Sequence, residues 1–160
     1  MKSPATRAWC LAGAVCVAVL IVDQVVKAVI EAQVTLGEQI EVLGPLKLTL
    51  SHNSGIAFGL SGGGGVLLVA ITLAALGVVL YLFSWDPTRP GMWAAAGLLA
   101  GGAIGNLADR VRRGSVTDFI ELPHWPPFNL ADMSITAGVL LLVWIYLREA
   151  ERETSEPESG

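Results

Sequence analysis

Charge is scarce in this chain of 160 residues: Asp, Glu, Lys and Arg together make up 15%, where a soluble domain carries roughly 25%. Hydrophobic residues make up 53% and are gathered in blocks, which excludes an ordinary water-soluble domain. There are two cysteines, Cys10 and Cys16. Six residues apart on one helix, their Cα atoms stand about 9 Å apart, beyond the ~7 Å that a disulfide tolerates, so a disulfide scaffold is excluded. The two histidines, His52 and His124, stand alone and no H-E-x-x-H is present, so a zinc-protease site is missing and no metal or other cofactor is expected. The net charge of -4 comes largely from the end, "REAERETSEPESG". Residues 148–160 therefore read as a disordered acidic tail, and no nucleic-acid partner is expected.

What the chain has instead is long apolar runs. Four approach the roughly 20 residues that cross a bilayer: 9–30, 66–85, 92–108 and 130–147. The expected fold is an all-α membrane protein with four transmembrane helices in one domain, 1–147. The first run follows Lys2 and Arg7, as a signal peptide would. It is longer than an ordinary signal h-region and holds Asp23 and Lys27, so it reads as a span. The link "DPTRP" is short and turn-forming, which makes spans two and three an antiparallel pair. An even number of spans places both termini on one side. Positive charge does not say which: Lys2, Arg7, Arg89, Arg148 and Arg152 lie on the terminal side, against Lys47, Arg110, Arg112 and Arg113 opposite.

Between the first two spans, Leu46, Leu48 and Leu50 alternate with Lys47, Thr49 and Ser51, and Ile40 and Val42 precede a Gly44–Pro45 turn. This pattern predicts a small antiparallel β unit over 38–52. Gly97, Gly101 and Gly105 repeat every four residues and predict a flat stripe for close helix packing. Asp23 and Lys27 share a helix face, with the acid first. They are either a snorkelling lysine with its counter-ion or a brace for a buried polar site.

The remaining charge is concentrated in "GNLADRVRRGSVTDFIELPHWPPFNLADMSIT", which holds three aspartates, three arginines and two asparagines. Asp109 is expected to pair locally with Arg112 or Arg113. Asp132 opens the fourth span, where a carboxylate caps a helix. Capping does not account for Asp118, which lies in the extended apolar segment "SVTDFIEL" with no basic neighbour. Two carboxylates brought together in a low-dielectric place share a proton, the arrangement that activates a water with one and protonates a leaving group with the other. Burial favours the proton on Asp118, and the helix start favours charge on Asp132. A small proton-coupled exporter would want its acid nearer the membrane midplane.

In order along the chain, Asp23 and Lys27, "NSGIAFG", "GNLADR", "VTDF" and "FNLAD" resemble the signal peptidase II family, membrane aspartic peptidases that process lipoproteins. The resemblance runs from Asp23 to about Ser134. Ile56 and Met133 depart slightly from the family pattern at positions that carry no chemistry. The resemblance implies that Asp118 and Asp132 are the catalytic pair. Asn53, Gly55, Gly105, Asn106, Asp109, Arg110 and Asn129 match the family's other motif positions and would bind substrate or support the site. Asp23 and Lys27 match its first-helix ion pair. The implied substrate is a prolipoprotein carrying diacylglycerol on its cysteine, cut just before that residue to free the signal peptide. The implied setting is the bacterial cytoplasmic membrane, with cytoplasmic termini, an active site at the outer leaflet, contact with membrane lipid and a monomeric enzyme.

Overall fold

The computed structural model describes residues 3–54 and 64–155; Gly55 and Ile56 lie outside them. Helix α1 spans Pro4–Gln33. It starts earlier than the apolar run because the Ser3 hydroxyl accepts the Thr6 N–H at 3.1 Å and Pro4 occupies the first turn, where a missing N–H costs nothing. Strands β1 (Gln39–Leu43) and β2 (Leu46–Asn53) follow, then helices α2 (Gly64–Trp85) and α3 (Met92–Arg113). Strands β3 (Val116–Leu122) and β4 (Trp125–Phe128) lead into α4 (Leu130–Ser155).

Among the described residues, three helices, in α1, α2 and α4, are long and apolar enough to cross a membrane. α3 is not among them, because its last turns carry Asn106, Asp109, Arg110, Arg112 and Arg113. Its upstream part is small and packed: Gly97 meets Ala12 and Val15, Gly101 meets Cys16 and Val19, and Gly105 meets the Asp23 carboxylate. Gly102 lies against Ala131 and Ile135 of α4. The expected glycine stripe is therefore the α1 contact, and one neighbouring glycine serves α4. At the terminal end, Ala8, Ala12, Phe83, Met92 and Ala96 form one core, with Trp9 edge-on to Phe83 at 4.5 Å. At the opposite end, Ile30, Val34, Leu50 and Phe119 join the helices to the sheet.

The β unit is larger than expected. Four antiparallel strands run in the order β1-β2-β3-β4, because the apolar segment after α3 pairs with β2 and then turns back through Pro123–His124. Clean alternation in β2 also fails: Thr49 and Leu50 are both buried. Leu48 pairs with Ile120 and Ser51 with Asp118, so three steps on β2 oppose two on β3. That bulge re-aims the strand beside Asp118.

The expected tail differs as well. α4 runs through Ser155, past the expected end of the span at 147. Ala, Glu and Arg favour helix there, and no proline intervenes before Pro157. Residues 156–160 lie outside the described residues.

Candidate active site

Lys27 stands at the centre of a buried polar cluster where α1, α3 and α4 meet the sheet. Its ammonium carries three hydrogens and has three acceptors: Asp109 Oδ2 at 2.7 Å, Asp23 Oδ2 at 2.8 Å and Asn106 Oδ1 at 3.1 Å. Lys27 is 1% exposed, so it does not snorkel. Asp109 reaches across to α1 instead of pairing with Arg112 or Arg113. The face of α3 that carries Asp109 is buried, whereas the two arginines lie at the surface. There Arg112 donates to Gln24 Oε1 and Arg113 pairs with Glu31.

Two carboxamides carry this cluster to the sequence-predicted pair. Asn106 Oδ1 accepts from Lys27 and from Asn129 Nδ2, which turns its own amide nitrogen toward Asp132 Oδ1 at 2.8 Å. Asn129 caps α4: its Oδ1 accepts the Asp132 N–H at 3.0 Å, and Asp132 Oδ2 accepts the Asn129 N–H at 3.3 Å. This reciprocal cap fixes the Asp132 side chain at the positive end of the helix. The Asn129 amide nitrogen also donates to Asp118 Oδ1 at 2.6 Å. One asparagine thus holds both aspartates, and the capping and chemical readings of Asp132 are compatible. Asp23 completes the arrangement, accepting the Ala131 N–H of α4 at 3.0 Å.

Asp118, on β3, is 2% exposed. Burial pushes its pKa up to about 6, and the neighbouring charge of Asp132 adds to the rise. Hydrogen bonds from Asn53 and Asn129 and the positive field of Lys27 oppose it. A cavity of about 600 Å³ runs past Asp132, walled mainly by apolar groups such as Leu122, Trp125, Phe128, Met133 and Leu140. A more polar cavity of about 290 Å³ borders Asp118, with Ser51, Asn53 and Ser54. Pro126 and Pro127 of β4 wall both cavities. The two carboxylates therefore face space for a peptide from an apolar side and a polar side.

Of the other sequence-predicted residues, Gly105 brings α3 against Asp23, and its carbonyl accepts from Gln24 Nε2 at 3.3 Å. Arg110 is half-buried, and its carbonyl caps α3 through the Gly114 N–H at 2.9 Å. Among the described residues its side chain does not join the cluster. Sequence reading missed Gln24, which donates to Asp23 and Asp109, and Thr117, which is fully buried beside Asp118. It also missed Glu31, although Asp23, Lys27 and Glu31 continue one four-residue row on α1.

These features define a class: a mostly helical membrane protein with a buried polar centre under a small antiparallel sheet. A family described as signal peptidase (SPase) II has a model that matches residues 15–148. The lipoprotein signal peptidase of Pelotomaculum thermopropionicum is 41% identical over 140 residues, covering 86% of this chain and 92% of its own. That of Brucella ovis is 44% identical over 145 residues, covering 84% and 88%. A solved bacterial membrane enzyme, determined by the in meso method at 1.9 Å resolution, matches with a TM-score of 0.80 at 36% identity over 85% of this chain and 92% of that chain. The chain belongs to the signal peptidase II family and is thus a peptidase by family.

Proposed function

We propose that this chain is an aspartic endopeptidase that removes the signal peptide from diacylglyceryl-modified prolipoproteins, cutting just before the lipidated cysteine. The observation that carries the catalytic type is the joining of Asp118 and Asp132 through Asn129, with Asp118 biased toward its protonated form. Asp132, at the start of α4, acts as the base and takes a proton from water as the oxygen attacks the scissile carbonyl. Asp118 donates its proton to the carbonyl oxygen, giving a neutral gem-diol. The diol then collapses: Asp132 passes its proton to the departing nitrogen, the C–N bond breaks, and a diol hydroxyl gives its proton to Asp118, leaving the carboxyl product.

Asn106 and Asn129 orient the two carboxylates, and Asn53 supports Asp118. Lys27, Asp23 and Asp109 brace the helices that carry them. Arg110 and Gly55 are assigned to substrate contact or site support by their motif positions alone. The apolar cavity at Asp132 suits a substrate whose signal helix and lipid chains remain in the bilayer. In this reading α3 is a fourth span, shielded by α1 and α4, so it needs less apolar surface. The termini are cytoplasmic, the site opens at the outer leaflet, and the enzyme works as a monomer among membrane lipids.

The test is incubation of the purified chain with a lipidated prolipoprotein, measuring release of the signal peptide. Asp118→Asn or Asp132→Asn should each reduce turnover by about 10³-fold or more, with the double variant hardly worse, because the pair acts as a unit. Cleavage should persist in a metal chelator. Near-normal turnover by either single variant would remove the dyad assignment.

A further inference from the structure

We propose that Glu31 and Arg113 act through the Thr117 hydroxyl to position the Asp118 carboxylate, forming a clamp from α1 and α3 onto β3. The proposal rests on the reading of Asp118 as one of the catalytic pair.

Thr117 is fully buried, and its hydroxyl is engaged on both sides. It donates to Glu31 Oε1 at 2.6 Å and accepts from Arg113 Nη1 at 3.2 Å, while Arg113 and Glu31 form an ion pair with each other. The Thr117 carbonyl accepts from Asn129 Nδ2 at 3.3 Å, and the same nitrogen donates to Asp118 Oδ1 at 2.6 Å. A shift of the backbone at 117 therefore changes the hydrogen bond from Asn129 that ties Asp118 to the start of α4.

The fold leaves this strand in need of such a grip. β3 follows α3 through Gly114 and Ser115 alone, and Gly114 turns the chain with φ 75°. The ladder to β2 is irregular between the Leu48–Ile120 and Ser51–Asp118 pairs, so strand pairing is interrupted immediately after Asp118. Glu31 and Arg113 keep 24% and 37% of their side chains exposed. A surface ion pair of that kind contributes little to the stability of a fold. Its consequence here is the fixed geometry of a buried hydroxyl one residue from the acid. The charged and polar groups acting on Asp118 itself are Asp132, Asn53, Asn129 and Lys27, so the clamp works through position and not through its own charge.

The experiment compares Thr117→Val, Thr117→Ser and the unaltered full chain in detergent. One readout is kcat and KM on lipidated prolipoprotein, per folded enzyme as judged by thermal unfolding. The other is the titration of Asp118 followed by carboxylate NMR of ¹³C-aspartate-labelled protein, assigned by the signal lost in Asp118→Asn. Valine keeps the shape and removes the hydroxyl. Thr117→Val should lower kcat about tenfold or more with KM within about twofold, since small misplacements of a reacting group are costly. Loosening the bond that Asn129 donates to the ionised carboxylate should move the Asp118 midpoint upward. Thr117→Ser should restore both. A Thr117→Val enzyme with kcat within about twofold of the unaltered chain, or with the Asp118 midpoint unmoved, overturns the clamp. If the unaltered chain cleaves nothing, the proposed reaction fails and the titration alone decides the clamp.

Discussion

At the scale of single residues, the Asp118 proton would link activity to stability under the proposed mechanism. Its ordinary value of 3.8 rises to about 6, first through burial and then through the charge on Asp132. The proposed mechanism needs this proton in place and Asp132 ionised. Turnover should therefore fall as pH rises through and above about 6, as Asp118 loses its proton. A rate that keeps climbing into strongly alkaline solution would contradict this mechanism. For stability, a carboxyl whose folded pKa is raised binds more protons folded than unfolded between about pH 4 and about 6, so stability drops as pH rises through that window. Asp118→Asn has no charge to bury. It should be inactive yet more stable than the unaltered chain at pH 8, by at most about 3 kcal/mol before solvent screening, with the gain fading near pH 4. Thermal unfolding in detergent at both pH values measures the difference, and a variant less stable at pH 8 refutes it.

At the scale of elements, α3 owes its central place to glycine. A Cβ at Gly101 would stand 2.7 Å from Val19 Cβ and 2.8 Å from the Cys16 carbonyl oxygen. Backbone cannot yield cheaply, so Gly101→Ala must push α1 away and should cost about 1–3 kcal/mol. Gly13, on α1, has nothing within 4 Å of such a Cβ. Gly13→Ala should be neutral or stabilising by up to about 1 kcal/mol, the helix-propensity difference. A loss at Gly101 with none at Gly13, read by thermal unfolding, tests whether close approach and not propensity governs the α1–α3 contact.

At the scale of the molecule, Lys27 connects the elements that carry the two aspartates. Through Asp23 it reaches Ala131 at the start of α4, and through Asn106 it reaches Asp132 itself. Lys27→Met leaves Asp23 and Asp109 buried without their cation, which should cost about 3–5 kcal/mol. Adding Asp109→Asn removes one stranded charge and should restore part of the loss. Both the unfolding temperature and signal-peptide release should follow this order. An unfolding temperature for Lys27→Met equal to that of the unaltered chain would mean that the cluster does not brace the fold.

The sequence by itself determined whatever depends on neighbours along the chain. The lengths of the apolar runs located the three long apolar helices, a four-residue interval put Asp23 and Lys27 on one face, and a spacing of four put Gly97, Gly101 and Gly105 on one stripe. The apolar flanks of Asp118 and the helix start at Asp132 marked both acids before their partners were known. Tertiary structure alone decided who those partners are. Asp109 had Arg112 and Arg113 one turn along its own helix and still pairs with Lys27, 82 positions away. Glu31 and Thr117 meet across 86 positions, and the bulge beside Asp118 depends on a strand the β2 pattern could not anticipate. The physical reason is that a buried charge or hydroxyl must find a partner wherever packing brings one. That partner is set by which helix faces are small enough to close together, which no local spacing records.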